Sequence, residues 1–276
     1  MLLKSFLPNP ALHKYVKNFG IVHFVFSEKE SIPMKAYSPK PGDSIEFFLR
    51  EPEYILYPGE NEKTKKPSAV VNGQHTFVTN RYVGNDFLFL NISFQPGVLY
   101  RLTGIPSYEL ADTYLDAETV FSKEIRFVTE QLKNAGSYAE IISLAESFVL
   151  TLLTRRSKKE FHGIDTTAKI LLQNPERVSM DWLAKEACLC SRQFERKFKE
   201  RMGVSASLFA RIARFDKAFQ MKNAYPEKDL YSIAIQCGYY DYQHMVRDFK
   251  AFTHLTPTSF FELDNLAPER MFGLHE

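Results

Sequence analysis

The 276-residue chain is long enough for one large domain or two ordinary ones, with two slightly favoured. Its 45% hydrophobic and 25% charged residues are ordinary for a globular protein; they exclude disordered, collagen-like and membrane-embedded classes and require buried cores. The net charge of +2 excludes little by itself. Met1 to Pro10 lacks the basic-then-apolar order of a secretory signal, and no apolar run approaches the ~20 residues that span a bilayer, which predicts a cytoplasmic protein with no membrane partner.

The first elements read as β. Phe19–Phe26, Ser44–Leu49, Gln74–Thr79 and Asp86–Phe94 are short runs rich in β-branched and aromatic residues. Turn signals separate them, such as Lys40-Pro41-Gly42-Asp43, Pro58-Gly59 and Asn72-Gly73, which suggests an antiparallel sheet or barrel. His13, His23 and His75 lack the clustered His-x-His spacing that a first-row metal favours, so they read as satisfied or exposed single histidines and no cofactor is expected.

From Pro96 onward the pattern becomes helical. Ile125, Val128 and Leu132 repeat at helical spacing, then Ile141, Leu144, Ala145, Phe148, Val149 and Leu152 make a broad apolar stripe. The stripe must be buried on the sheet or on another subunit. Arg155, Arg156, Lys158 and Lys159 follow, and a domain boundary is placed between about 155 and 165, dividing the chain into 1–160 and 161–276. These basic residues equally fit a solvated linker.

The last part contains an internal repeat. Leu183-Ala184-x-x-Ala187 recurs as Ile233-Ala234-x-x-Cys237, an offset of 50, while Arg196-x-Phe198-Lys199 recurs as Arg247-x-Phe249-Lys250, an offset of 51. One residue has been added to the second turn. The echo continues through Val204/Leu255, Ser205/Thr256 and Phe209/Phe260. Two copies of one structural unit explain this, and a purely structural helical array would also fit. The three cysteines, Cys188, Cys190 and Cys237, are an odd number without Cys-x-x-Cys, which argues against a disulfide framework or zinc site and predicts small reduced core residues.

Each copy reads as a helix, a tight turn and a second helix. Ser179 is placed to cap a helix from Met180 to Ala187, and small residues at 184 and 187 let two helices approach closely. The next helix, Ser191–Arg201, points Phe194 and Phe198 inward, so Arg192, Glu195, Arg196 and Lys199 share the opposite face. In Asp241–Phe252 the inward pair is Met245 and Phe249, leaving Gln243, Val246, Arg247 and Lys250 outward. A helix fits the major groove of B-DNA, where Arg bonds guanine, Gln bonds adenine, Glu accepts from cytosine and an apolar side chain touches the thymine methyl. The two rows supply all four chemistries. Between them Ser205–Asn223, about 18 residues and roughly 27 Å at 1.5 Å each, could hold both rows toward successive major grooves about 34 Å apart. Between Arg192 and Lys222 nine Lys/Arg stand against three Asp/Glu, a footprint suited to phosphate. A solvated helical face carries similar charge, and charge alone does not choose.

From Val178 to Phe261 the sequence resembles the AraC/XylS family of transcription regulators. Leu-Ala-x-x-Ala, Arg-x-Phe-Lys and Gly203-Val204-Ser205 carry the resemblance in the first unit, and Ile-Ala-x-x-Cys-Gly-Tyr, Arg-x-Phe-Lys and Leu-Thr256-Pro257 in the second. The resemblance implies a seven-helix DNA-binding domain in which Arg192, Arg196, Tyr242, Gln243 and Arg247 match positions that meet bases. With Gln193, Glu195, Lys199, Val246 and Lys250 these form the candidate DNA-binding set. There are departures: Cys190 stands where a Ser is usual, so Ser191 is expected to cap; His254 replaces a frequent Gly, and Phe260-Phe261 replaces Tyr-Arg. The resemblance also implies an N-terminal domain that senses a ligand or mediates dimerisation, with RNA polymerase as partner and activation as output. Phe94-Gln95-Pro96-Gly97 and a short helix at Val98–Thr103 resemble N-terminal domains of one bacterial subset of the family.

The expected fold is therefore α+β, a β-rich sensor-like domain followed by an all-α domain with two helix-turn-helix units joined by a long helix. Two rival functions are weighed. An enzyme with a helical appendage would need catalytic motifs, and the sequence has no Gly-x-Ser-x-Gly, His-Glu-x-x-His, Gly-rich phosphate loop or Gly-x-Gly-x-x-Gly. A protein-interaction module would pair subunits through 141–152 and predicts no duplex-sequence preference.

Overall fold

In a computed structural model, residues 1–27, 31–156, 161–175 and 178–273 are described. Among the described residues ten strands come first: β1 (Leu2–Phe6), β2 (Val16–Val25), β3 (Lys35–Tyr37), β4 (Ser44–Phe48), β5 (Tyr54–Leu56), β6 (Thr64–Lys65), β7 (Ala69–Asn72), β8 (Thr79–Tyr82), β9 (Asp86–Phe94) and β10 (Tyr114–Asp116). They form a six-stranded sheet in the order β1-β2-β9-β4-β7-β10 and a four-stranded sheet in the order β3-β8-β5-β6. All pairings are antiparallel.

Helices α1 (Val98–Thr103), α2 (Ala117–Phe121), α3 (Lys123–Lys133) and α4 (Tyr138–Arg156) belong to the same body. Period-two alternation turns Leu88, Leu90, Ile92 and Phe94 of β9 to one face, where they join Phe19 and Ile21 of β2. The stripe Ile141, Ala145, Phe148, Val149 and Leu152 of α4 lies in that same core, with Phe148 edge-on to Phe47 at 6.0 Å. Of the two partners considered for the stripe, the sheet covers it.

Two expectations need correction. Gln74–Val78 is loop, and only Thr79 of the expected strand Gln74–Thr79 is in β8. The side chain of Gln74 explains this, because its amide donates to the carbonyls of Lys40 and His75 at 3.0 and 2.6 Å and accepts from the Gly42 amide at 3.0 Å. It pins a loop junction. The cysteines are also not all core residues: Cys237 is buried, whereas Cys188 and Cys190 are exposed, and none of the three forms a disulfide.

The helical part comprises α5 (Gly163–Gln173), α6 (Met180–Glu186), α7 (Ser191–Met202), α8 (Ala206–Ala224), α9 (Leu230–Gln236), α10 (Tyr242–Thr253), α11 (Pro257–Asp264) and the one-turn α12 (Pro268–Met271). α5 to α11 give the seven helices expected, and α12 adds one. Two apolar clusters divide this part. Ile164, Leu183, Phe194, Phe198 and Phe209 anchor the first; Phe215, Ile233, Met245, Phe249 and Phe260 anchor the second, which also takes in Ala36 from β3. α8 contributes its first half to one cluster and its second half to the other, as a shared strut should. Lys158 and Lys159, at the expected boundary, lie outside the described residues, and Arg155 pairs with Glu124 at 3.0 Å on the surface. Among the described residues no helix is long and apolar enough to cross a membrane.

Candidate nucleic-acid interface

The first unit begins at Ser179, whose hydroxyl accepts from the Trp182 amide at 3.1 Å, and its Leu183, Ala184 and Ala187 face inward as the sequence predicts. Cys188 takes a left-handed backbone with φ 54°. Its amide donates to the Lys185 carbonyl and that of Leu189 to the Ala184 carbonyl, both at 2.9 Å. This paired stop reverses the chain in a few residues and aims α7 across α6. The second unit repeats the device. Asp229 caps α9 by accepting from the Ser232 amide at 2.8 Å. Gly238 is left-handed with φ 79°, and Tyr239 donates back to the Ala234 carbonyl at 3.0 Å.

Each recognition helix is braced from beneath by aromatics. Phe194 and Phe198 are fully buried with ring centroids 5.6 Å apart, and Phe198 meets Phe209 of α8 at 5.5 Å. Under α10, Phe249 lies 4.7 Å from Phe215 of α8. Both helices therefore rest on the same strut, and their polar rows face away from it. Arg192, Gln193, Glu195, Arg196 and Lys199 are all exposed on α7. On α10 Gln243, Arg247 and Lys250 are exposed, Val246 is half-buried, and Tyr242 is half-buried against the second cluster.

The ends of the recognition helices differ from the sequence expectation in one respect. Cys190 occupies the cap position of α7 without a side-chain bond, and Ser191 does not replace it: its hydroxyl donates to Asp181 at 3.2 Å. Asp241 does cap α10, accepting from the His244 amide at 2.6 Å. Tyr240, passed over by the sequence reading, stands 89% exposed just before that cap. Its signal was the extra residue in the second turn.

The basic excess between Arg192 and Lys222 is smaller in space than in sequence. Arg201 is buried, donating from Nε and Nη2 to the two oxygens of buried Asp165 at 2.7 Å each. Arg211 and Arg214 both pair with buried Asp248, at 2.8 and 3.2 Å. Three of the nine cations are thus structural, and Arg192, Arg196 and Lys199 remain on the surface. Burial together with the neighbouring Arg214 lowers the pKa of His244, so this imidazole beside the row stays neutral at physiological pH.

Both units dock on the β-rich part. At the first, Ser107 donates to the Arg201 carbonyl at 2.9 Å, Tyr100 of α1 donates to Glu200, and Arg101 of α1 approaches Asp165 at 3.8 Å. At the second, Lys35 of β3 pairs with Asp264 at 2.8 Å and with Glu269. These contacts fall at the C-terminal end of α7, at the start of α5 and on α11 and α12, and the rows on α7 and α10 stay exposed.

A family model described as a helix-turn-helix domain matches residues 183–262. Among solved structures the chain is similar to an apo variant of ToxT from Vibrio cholerae, with 10% identity, TM-score 0.50, and 89% of this chain and 97% of that chain covered. It is equally similar to wild-type ToxT from Vibrio cholerae bound to an unsaturated fatty acid, again with 10% identity and TM-score 0.50, over 99% of this chain and 98% of that chain. At such identity the likeness is one of fold, and it spans the β-rich and helical parts together. No curated protein matches in sequence. The β-rich-then-helical order and the paired helix-turn-helix units expected from the sequence are both present.

Proposed function

We propose that this chain, whose residues 183–262 are an AraC-type helix-turn-helix domain, is a sequence-specific transcription regulator that reads two adjacent major-groove segments of double-stranded DNA. The observation that carries the reading is the pair of exposed polar rows on α7 and α10, in matching register over aromatic anchors that share α8. Arg192, Arg196 and Arg247 would bond guanine, Gln193 and Gln243 adenine, and Glu195 would accept from cytosine. Val246 would meet a thymine methyl, while Lys199, Lys250 and the hydroxyl of Tyr242 would hold the adjoining backbone. An AraC-type helix-turn-helix is a DNA-binding class and not an enzyme class. Residues 1–160 would form the sensing part and 161–276 the reading part, acting in the cytoplasm on RNA polymerase to activate transcription. Control by a small molecule is supported by the like fold of ToxT, one structure of which holds a fatty acid, and a homodimer would place four rows on a palindromic site.

The test is selection of bound duplexes from a random pool by the full chain, followed by Arg196→Ala and Arg247→Ala. Each variant should relax one base position at a cost of ~1–3 kcal/mol, and wild-type affinity should fall steeply with salt. Losses uniform across all sequences would assign both arginines to phosphate and remove the reading of sequence.

A further inference from the structure

The two sheets are bridged by a buried ionic cluster that the DNA-binding reading does not use. Glu46 of β4, Glu53, Lys66 and Arg81 of β8 are all buried. Lys66 Nζ lies 2.8 Å from Glu53 and 3.2 Å from Glu46, and Arg81 Nη1 lies 3.2 Å from Glu53 and 3.8 Å from Glu46. The guanidinium of Arg81 stacks on Tyr37 of β3 at 3.7 Å. Two cations are balanced by two carboxylates, so the cluster is neutral.

Its hydrogen bonding is incomplete in a patterned way. Among the described residues, Arg81 Nε and Nη2, both ring nitrogens of His75 and the hydroxyl of Thr79 are buried without a partner. Nε and Nη2 form one edge of the guanidinium, whose two parallel N–H groups match the two oxygens of a carboxylate. Burial pushes His75 down to about 3, so its ring is neutral and offers one donor and one acceptor. Leaving such a buried group unsatisfied is costly, and native proteins hold few of them. Here five polar atoms from three residues within seven positions of the chain share the omission, and Thr79 and Arg81 lie on one face of β8.

We propose that this cluster is a binding site for a small molecule bearing a carboxylate, gripped by the Nε–Nη2 edge of Arg81 with Thr79 and His75 alongside. Because the cluster is neutral already, the grip depends on paired N–H bonds and not on net charge. The site deepens the effector control proposed above and rests on that reading only for its effect on DNA. The route to DNA is short, since successive residues of β8 point to opposite faces. Asn80, on the far face, and Val78, just before β8, line an apolar cleft of about 270 Å3 with Thr253, His254 and Phe260 of the second unit. The Val78 amide also donates to the Phe252 carbonyl in the last turn of α10, at 2.8 Å.

The test titrates acetate, propionate and benzoate into 15N-labelled full chain and follows the arginine Nε–H resonances, with acetamide and benzamide as controls. The expected result is a saturable shift of one resonance by the carboxylates, absent in Arg81→Lys, with binding weakened about tenfold in Thr79→Val and by a similar factor for the amides. Thr79→Val is nearly isosteric and keeps the test open if Arg81→Lys does not fold. No saturable shift, equal response to the amides, or unchanged affinity in folded Thr79→Val would overturn the site and leave the orphaned groups to buried water. Fluorescence anisotropy with a selected duplex, with and without benzoate, separates the two proposals. A resonance shift with unchanged DNA affinity keeps the site and removes its role as effector control.

Discussion

The two helix-turn-helix units solve the same backbone problems with different residues. At the turn the first unit uses Cys188 with φ 54° and the second Gly238 with φ 79°. At the end of the recognition helix the choice is reversed, with Gly203 at φ 85° in the first and His254 at φ 61° in the second. Each unit thus has one left-handed residue that suits glycine and one that is not glycine. Their attachments differ as well. The first unit docks through Asp165, approached by Arg101 of α1, and through Ser107 and Tyr100, while the second docks through Lys35 and an apolar contact with Ala36 of β3. An equivalent exposed row therefore needs equivalent geometry beneath it and not equivalent chemistry.

The largest expected effect tests the ionic lock inside each unit. Asp165→Ala leaves Arg201 buried and unpaired and also removes the carboxylate that accepts from the His162 amide at 3.3 Å, so a loss of about 3–5 kcal/mol is expected. Asp248→Ala frees Arg211 and Arg214, but the side chain of Arg211 is already 40% exposed and can hydrate, so the expected loss is only about 1–3 kcal/mol. Denaturant unfolding of the full chain measures both. Equal losses would mean that the two ionic locks are of one kind and that the exposure of Arg211 does not soften the second.

The next effect tests the cores. Phe261 of α11 stacks on Phe219 with centroids 5.8 Å apart and planes within 9°, whereas the corresponding position in the first unit is Ala210. Phe261 therefore adds an aromatic layer over Phe219 that the first unit does without. Phe261→Ala converts the second unit toward the first and should cost about 3 kcal/mol. Hydrogen exchange should place the loss in α9, α10 and α11 while protection of α6 and α7 is kept. Loss of protection in both units would show that α8 transmits the damage.

What could be read from sequence follows the range of the interaction that fixes it. Phe194 and Phe198, or Met245 and Phe249, are four residues apart, so helical periodicity alone turned them inward and the rows outward. Ser179 declared its cap by local chemistry in the same way. Arg201, Arg211 and Arg214 looked like footprint because their partners Asp165 and Asp248 lie more than thirty residues away, beyond any spacing rule. The β-rich part was half legible for a similar reason. Long strands such as β2 and β9 announced themselves, but β3, β5 and β6 are two or three residues long and owe their pairing to neighbours across the sheet. The orphaned edge of Arg81 had no sequence signal, since a buried arginine reads like any other until its surroundings are placed.

The smallest effect bears most directly on the exchanged left-handed residues. A left-handed backbone costs a residue with a Cβ roughly 1–2 kcal/mol, and glycine gives back about 0.5–1 of that through the freedom it loses on folding. Cys188→Gly and His254→Gly should each therefore stabilise the chain by about 0.5–1 kcal/mol, read as a shift in denaturation midpoint at constant slope. Gly238→Ala should cost a comparable amount. Gly203→Ala should cost more, because its Cβ would come within 3.0 Å of the Ser107 carbonyl oxygen, where the first unit meets the β-rich part. If Gly203→Ala cost no more than Gly238→Ala, the contact at Ser107 would yield freely, and Tyr100 with Glu200 and Arg101 with Asp165 would carry the docking of the first unit.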